Sequence, residues 1–163
     1  MAKDSSFDIA SQVDMQEMSN AVNQTEKEIS QRYDFRGSTA SIELEEKSIK
    51  IAAEDDYKLN AILDILRARM AKRGIPLRCL DPGKVEAAAK GTVRQNINIV
   101  QGISKEKAKA IIAAIKATKL KVNTQMQGDQ VRVSGAKKDD LQAVIQTLRA
   151  GDFGIDLQFI NMR

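Results

Sequence analysis

The sequence predicts an α+β protein built from two tandem copies of one β-α-β-β-α-β unit. The first support is that apolar residues follow strand-like alternation and helical spacing in the same order in both halves of the 163 residues. The second is that similar residues recur at a constant offset of 82, so that Ile49 and Ile51 match Val131 and Val133. The third is that two successive aspartates precede the last helix of each half.

The first half contains six predicted elements. Its first helix begins at Asp14, which can cap it, and the second is ended by Gly74 and Pro76. Ile42 and Leu44 alternate with polar residues, as is typical of a half-buried strand. The predicted elements are a strand over 6–10, a helix from Asp14 to about Tyr33, strands over 39–44 and 48–53, a helix from Asp55 or Asp56, and a strand over 77–80.

The second half repeats this order after the turn at residues 81–83. Its hairpin turns at Gln127-Gly128-Asp129, and Asp139 or Asp140 is expected to cap its last helix. The predicted elements are a strand over 92–100, a helix over 104–119, strands over 121–126 and 130–134, a helix from Asp139 or Asp140, and a strand over 157–161.

This element order is that of a ferredoxin-like unit, in which two helices cover one face of a four-stranded antiparallel sheet. If each unit is one continuous stretch of the chain, the first is residues 1–82 and the second is residues 83–163. Each unit has only about 80 residues and a small core, so we expect the two to pack together or to share an element.

Composition excludes several classes of chemistry. The chain has no His and one Cys, which excludes an imidazole base, a His-ligated metal and a disulfide framework. We find no phosphate-binding glycine loop or nucleophile elbow, and acidic pairs at helix starts suit capping better than catalysis. We therefore expect no catalytic residues, no metal and no cofactor. The start of the chain has no signal-peptide pattern, so the expected location is the cytoplasm, away from membranes.

Charge is distributed unevenly along the chain. Residues 1–82 hold 12 basic and 15 acidic residues, whereas residues 83–163 hold 14 and 7. The first half therefore carries −3 and the second +7, which favours anionic partners for the second half. A solubilising lysine surface remains the alternative interpretation.

Alternation identifies candidate binding residues on the polar face of the second predicted sheet, where basic and amide groups suit phosphates and base edges. That face could also be merely solvated, or buried against the first unit. Lys105 and Lys109 lie on one stripe of the basic helix, and Arg36 follows the loop aromatic Phe35. The candidate nucleotide-binding residues are Arg132, Lys121, Asn123, Gln125, Arg94, Arg36, Lys105 and Lys109, with Asn96 and Asn98 expected beside Arg94.

Several segments resemble the YajQ family of bacterial proteins across essentially the whole chain. They are Ser6–Ile9, Gln31–Arg36, Leu63–Ala68, Gln101–Ile103, Lys119–Val122, Gln127–Asp129 and Asp139–Gln142. The resemblance implies a tandem of ferredoxin-like, RNP-like domains that exchange their first strands. Residues 11–102 would then form one domain, and residues 1–10 with 103–163 the other.

The resemblance also implies a nucleotide-binding protein linked to RNA and to cyclic di-GMP, which acts on a transcription factor. Together with the basic second half, it favours a non-enzymatic protein that binds cyclic di-GMP or RNA, such as tRNA. The alternative is a protein-interaction module, chaperone-like or a partner of a transcription regulator, with no specific nucleotide ligand. An enzyme that hydrolyses a nucleotide is the weakest reading.

Overall fold

The computed structural model describes residues 4–163, which fall into two compact units. The continuous unit is residues 13–100, and the described part of the split unit is residues 4–12 with 101–163. Within these residues the helices are α1 (Met15–Gln31), α2 (Asp56–Lys72), α3 (Lys105–Ala117) and α4 (Lys138–Ala150), and the strands are β1 (Ser5–Ala10), β2 (Ser41–Leu44), β3 (Ser48–Ala53), β4 (Leu80–Pro82), β5 (Glu86–Ala87), β6 (Val93–Ile99), β7 (Val122–Gln127), β8 (Gln130–Gly135) and β9 (Gln158–Ile160).

Each unit has one antiparallel sheet, and the two sheets exchange their first strands. The split unit has the order β7-β8-β1-β9, and the continuous unit has β2-β3-β6-β4, with β5 also paired to β6. With β1 and β6 in each other's sheets, both orders match the ferredoxin-like arrangement of the second, third, first and fourth strands. The predicted fold class is confirmed, including the exchange that the family resemblance implied.

The exchange corrects one expectation about the polar faces. Arg94, Asn96 and Asn98 do not share a sheet with Lys121 and Arg132, because β6 pairs with β3 of the continuous unit. Alternation identifies which residues of a strand share a face. It carries no information about the sheet that the strand joins, and this is why the expectation was wrong.

The alternating apolar residues fill a separate core in each unit. In the split unit, Phe7 and Ile9 of β1 pack with Val131 and Val133 of β8 under α3 and α4. Phe7 also meets Phe159 edge-on, with the ring centroids 5.9 Å apart. In the continuous unit, the apolar residues that are 1% exposed or less are Met18, Ala21, Ile49, Ile51, Ala53, Leu59, Ile62, Leu66, Met70 and Ile97. In each unit the helices therefore cover one face of the sheet. The polar residues of the strands lie on the other face, which we call the open face.

The helix starts follow the sequence with one exception. Asp55 caps α2 by accepting a 2.8 Å hydrogen bond from the backbone N–H of Lys58, and Ser104 caps α3. The expected cap of α4 by Asp139 or Asp140 is wrong, because both lie inside the first turn and Lys137 holds the cap position without a side-chain hydrogen bond. The two carboxylates there face the positive end of the helix dipole.

Residues 77–80 also differ from their predicted strand. Leu77–Cys79 form a short 3₁₀ helix, and β4 begins only at Leu80. Pro76 precedes this turn with φ −64°, and its carbonyl accepts a hydrogen bond from the Cys79 N–H at 3.2 Å.

Among residues 4–163, no helix combines the length and the apolar character needed to span a bilayer.

Candidate functional site

The two open faces carry equivalent rows of residues, one from each copy of the repeat. In the continuous unit, Glu43 pairs with Lys50, and Lys50 pairs with Asn96. In the split unit, the matching row is Gln125, Arg132 and Asp8. The acidic residue thus lies on the edge strand of one sheet and on a central strand of the other, which places the cation of each row in a different environment.

In the split unit, the cation of the row is held by a buried carboxylate. Asp8 is 4% exposed, and it receives hydrogen bonds from Arg132 Nε at 2.9 Å and Asn161 Nδ2 at 2.8 Å. The bond from Arg132 is the main cause that holds the pKa of Asp8 below its ordinary value, although burial opposes it. The pKa of Arg132 is raised by the same pair. Arg132 therefore neutralises Asp8 and is not a free cation on this face.

The other predicted residues of that face lie on or next to the edge strand. Asn123 and Gln125 belong to β7 and are exposed on the open face, and Lys121 directly precedes the strand. Gln125 lies opposite Arg132. These four residues lie close together on an amide-rich surface, and one of its cations, Arg132, is already paired with Asp8.

A concave site lies on the open face of the continuous unit instead. It is a groove of about 510 Å³ that contains Arg94 of β6 and Lys50 of β3. Arg94 Nε donates to Glu86 Oε2 at 3.2 Å, and Lys50 Nζ lies 3.1 Å from Glu45 Oε1. The residues that line the groove are Ser41, Glu43, Lys50, Ile51, Ala52, Glu86, Arg94, Gln95 and Asn96. This volume lies in the range of small-ligand pockets.

One wall of the groove is fixed by a close backbone approach. Gln95 is 8% exposed, and its Nε2 donates to the carbonyl of Gly83 at 2.8 Å, while its buried Oε1 has no hydrogen-bond donor within residues 4–163. The Gly83 N–H donates to the Asn96 carbonyl at 2.8 Å, and a Cβ at Gly83 would lie 2.7 Å from that oxygen. Only glycine therefore lets the segment after β4 reach β6 and carry Glu86 alongside Arg94.

Sequence reasoning placed Arg94 of this groove among its site residues and expected Asn96 beside it. It did not select Ser41, Glu43 or Lys50, because it favoured the more basic second half of the chain. Glu86 was missed because β5 has two residues, too few to show alternation. Only the structure shows that Glu86 pairs with Arg94 across the edge of the sheet.

The remaining predicted residues lie apart from both rows. Lys105 and Lys109 are exposed on α3, and within residues 4–163 neither has an ion-pair partner. Arg36 follows the short 3₁₀ helix Tyr33–Phe35, and its guanidinium stacks 5.6 Å from the ring centre of Tyr33. The structure thus separates the eight candidates into four places.

The strand exchange also redistributes charge. Residues 1–12 with 101–163 hold 12 basic and 8 acidic residues, whereas residues 13–100 hold 14 of each. The split unit therefore carries the whole net charge of +4, and the continuous unit is neutral. The net positive charge that would attract anions over long distances therefore lies on the split unit, whereas the concave groove lies in the continuous unit.

The helical side of the continuous unit exposes two aromatic side chains. Tyr33 is 82% exposed and Tyr57 is 75% exposed. Tyr57 also borders a second groove of about 590 Å³, together with Arg32 and Lys72. Exposed tyrosines beside arginine are typical of interaction surfaces.

No cluster of three or more Cys, Asp or Glu side chains that could hold a metal occurs in the described part of the chain.

Comparison with known proteins gives consistent matches over the whole chain. Residues 5–163 match the family described as "Nucleotide-binding protein YajQ-like". A nucleotide-binding protein of Heliobacterium modesticaldum is 58% identical over 163 residues, covering 100% of this chain and 99% of the relative. One from Desulfitobacterium hafniense is 55% identical, with both chains fully covered. One from Syntrophotalea carbinolica is 59% identical over 158 residues, covering 97% and 98%. The exchanged fold and these full-length matches agree with the resemblance read from the motifs, and the chain belongs to the YajQ-like family.

Proposed function

We propose that this chain is a nucleotide-binding protein that releases its ligand unchanged, and that the ligand lies in the groove of the continuous unit. The groove is the single observation that carries the proposal, because it combines a concave shape with two cations and several polar side chains. The names of the full-length relatives, all of which are nucleotide-binding proteins, support it independently.

Arg94 and Lys50 are the phosphate-binding groups of this proposal. Both cations form ion pairs at the surface. The Arg94 and Glu86 side chains are 64% and 61% exposed, and Lys50 pairs with the exposed Glu45. Such exposed pairs stabilise a protein by only about 0–1 kcal/mol, so a phosphate can replace Glu86 at little cost. Arg94 can then bind two phosphate oxygens at once, which is the geometry that guanidinium groups favour.

The uncharged and acidic groups of the groove suit the base and the ribose. Asn96 offers both a donor and an acceptor, Ser41 offers a hydroxyl, and Glu43 offers a carboxylate that accepts hydrogen bonds. A carboxylate beside amide donors can read the N–H groups of a guanine edge, and arginine can donate to its acceptors. We therefore propose cyclic di-GMP as the small ligand.

RNA, such as tRNA, is the alternative ligand of the same proposal. The positive charge of the split unit would then contact the backbone, through Lys105 and Lys109 of α3 and Lys121 next to Asn123 and Gln125. Phosphate contacts of this kind position a nucleic acid without reading its sequence. A transcription factor is the protein partner that we propose for the ligand-bound state.

Calorimetric titration of cyclic di-GMP, GTP and tRNA at two salt concentrations tests the proposal. We expect Arg94→Gln and Lys50→Gln each to weaken binding of the small ligand by about tenfold, because each loses a charge-assisted contact. Arg67→Gln is the matched control, since Arg67 lies on α2 of the same unit and pairs only weakly, at 3.7 Å, with Asp64. Absence of binding to all three ligands would refute the function.

Two further results separate the parts of this proposal. If the small ligand binds Arg94→Gln as tightly as the native protein, the groove is not its site although the function stands. If incubated GTP or cyclic di-GMP is converted to products, as followed by chromatography, the non-enzymatic part is wrong. A tRNA affinity with a steep salt dependence and no loss in Arg94→Gln indicates nonspecific binding to the split unit.

A protein-interaction module without a specific nucleotide is the second candidate, and the exposed Tyr33 and Tyr57 favour it. On this reading, a partner from lysate remains bound after nuclease treatment and is lost in the Tyr33→Ala and Tyr57→Ala variants. Loss of the partner on nuclease treatment alone favours the nucleotide-binding proposal.

A further inference from the structure

Strand β7 is an outer strand of the split unit's sheet, and no strand within residues 4–163 pairs with one side of its backbone. The sheet order places β8 on its other side, and Gln127 pairs with Gln130 across the two-residue turn Gly128-Asp129. In an antiparallel hairpin of this kind, the residues of every second pair hydrogen-bond to each other, and those between them direct their N–H and C=O groups outward. Thr124 and Met126 therefore point their backbone groups away from β8.

The composition of β7 leaves this edge unprotected. Its six residues, Val122–Gln127, include no charged residue, no proline and no glycine. Edge strands in soluble proteins normally carry such residues or are very short, which prevents pairing with another chain. The other outer strands described here follow that rule: β2 has four residues and contains Glu43, β4 contains Pro82, β5 has two residues and contains Glu86, and β9 has three residues.

The internal repeat sharpens this contrast. Glu43 lies opposite Lys50 in the continuous unit, and Gln125 lies opposite Arg132 in the split unit, 82 residues on in both strands. The same edge position thus holds a carboxylate in one copy and an uncharged amide in the other. The chain keeps the protective charge on one sheet and lacks it on the longer edge of the other.

We propose that β7 is a self-association edge, where a second copy of this chain adds antiparallel to give one continuous sheet of eight strands. The outward residues set the register, with Thr124 of one copy opposite Met126 of the other. Gln125 then faces Gln125 of the second copy on the two-fold axis, and the amides can hydrogen-bond.

Charge complementarity favours a second copy as the occupant of this edge. In the same register, Lys121 of each copy comes next to the Gly128-Asp129 turn of the other, so an exposed lysine and an exposed aspartate meet at both ends of the ladder. Val122 and Met126 are half-buried against the core of the split unit, and the added strand would cover them further. An isologous contact of this kind closes on itself and gives a dimer.

Sedimentation velocity over a concentration series tests the proposal. The native chain is expected to pass from monomer to dimer as its concentration rises. Gln125→Glu and Gln125→Lys each bring like charges together on the two-fold axis, and each is expected to weaken self-association by about fivefold. An equimolar mixture of the two variants is expected to recover it, because unlike charges then meet.

The matched controls are Gln142→Glu and Gln142→Lys, which make the same changes at an exposed position of α4 on the helical side. They are expected to dimerise as the native chain does, and circular dichroism checks that all four variants are folded. The proposal is overturned if the native chain stays monomeric throughout, if the Gln125 variants associate as tightly as the native chain, or if their mixture gains nothing over either variant alone.

Discussion

Replacing Arg132 with Gln is expected to destabilise the fold by removing the main partner of a buried carboxylate. Of its side-chain hydrogen bonds within residues 4–163, Asp8 would keep the one from Asn161 Nδ2 at 2.8 Å. Breaking a fully buried ion pair costs about 3–5 kcal/mol. The side chain of Arg132 is 32% exposed, so water can replace part of the lost contact. We therefore expect the free energy of unfolding to fall by about 2 kcal/mol at neutral pH.

The pH dependence of this loss gives a second, independent check. The pKa of Asp8 is lower in the folded protein than in the unfolded chain, chiefly because of Arg132. The ionised carboxylate therefore stabilises the fold at pH values above its unfolded pKa of about 4, and this contribution is lost as the pH falls through the folded value. The difference between the native protein and Arg132→Gln is expected to shrink below about pH 4.

Urea denaturation followed by circular dichroism at neutral and acidic pH measures both effects. Lys50→Gln is the matched control, because Lys50 holds the equivalent position in the other sheet. Its pair with Glu45 is exposed, at 58% and 42% for the two side chains, so the loss is expected to stay below about 0.5 kcal/mol. A loss at Arg132 no larger than that at Lys50, or one that persists unchanged in acid, would refute the reasoning.

Three further substitutions test local features of the split unit by the same denaturation assay. Gly102→Ala should lower the free energy of unfolding by about 2 kcal/mol, because φ at this position is +82° and the new Cβ would lie 2.8 Å from Asp129 Oδ2. Adding Asp129→Ala should recover about half of this loss, and no recovery would contradict the clash. Lys107→Met should lower the free energy of unfolding by about 1 kcal/mol, because it removes the 2.7 Å hydrogen bond from Lys107 to the Phe153 carbonyl. An equal loss in Lys109→Met would argue against a role for this hydrogen bond. Ser104→Ala should cost about 1 kcal/mol, and Lys137→Ala, at a cap position without a side-chain hydrogen bond, close to none.

The sequence predicted the elements and their order because periodicity reflects local geometry. Ile49 and Ile51 are two residues apart in the predicted strand over 48–53, so alternation places them on one face, and both are 1% exposed or less. Alternation could not show that β6 joins the sheet of β3, because strand pairing depends on contacts between distant parts of the chain. The exchange came from the family resemblance alone, and the position of Arg94 followed from it.

The candidate site was less predictable because charge counts do not describe shape. The second half of the chain carries +7, yet the groove with Arg94 and Lys50 lies in a unit of zero net charge. The groove depends on Gly83 approaching Asn96 and on the two-residue strand that carries Glu86. Neither feature has a periodic signature, so sequence patterns do not reveal it.

The two copies differ most clearly in where the acidic residue of the equivalent row lies. In the split unit the acid is Asp8, on the exchanged strand itself, and its bond to Arg132 ties β1 to β8 at the level of side chains. In the continuous unit the equivalent position on the exchanged strand is Asn96, which has no charge to hold Lys50. Lys50 instead pairs at the surface and borders the groove. Because one central residue is acidic in one copy and an amide in the other, the same row fastens the exchanged strand in the split unit and leaves its cation accessible in the continuous unit.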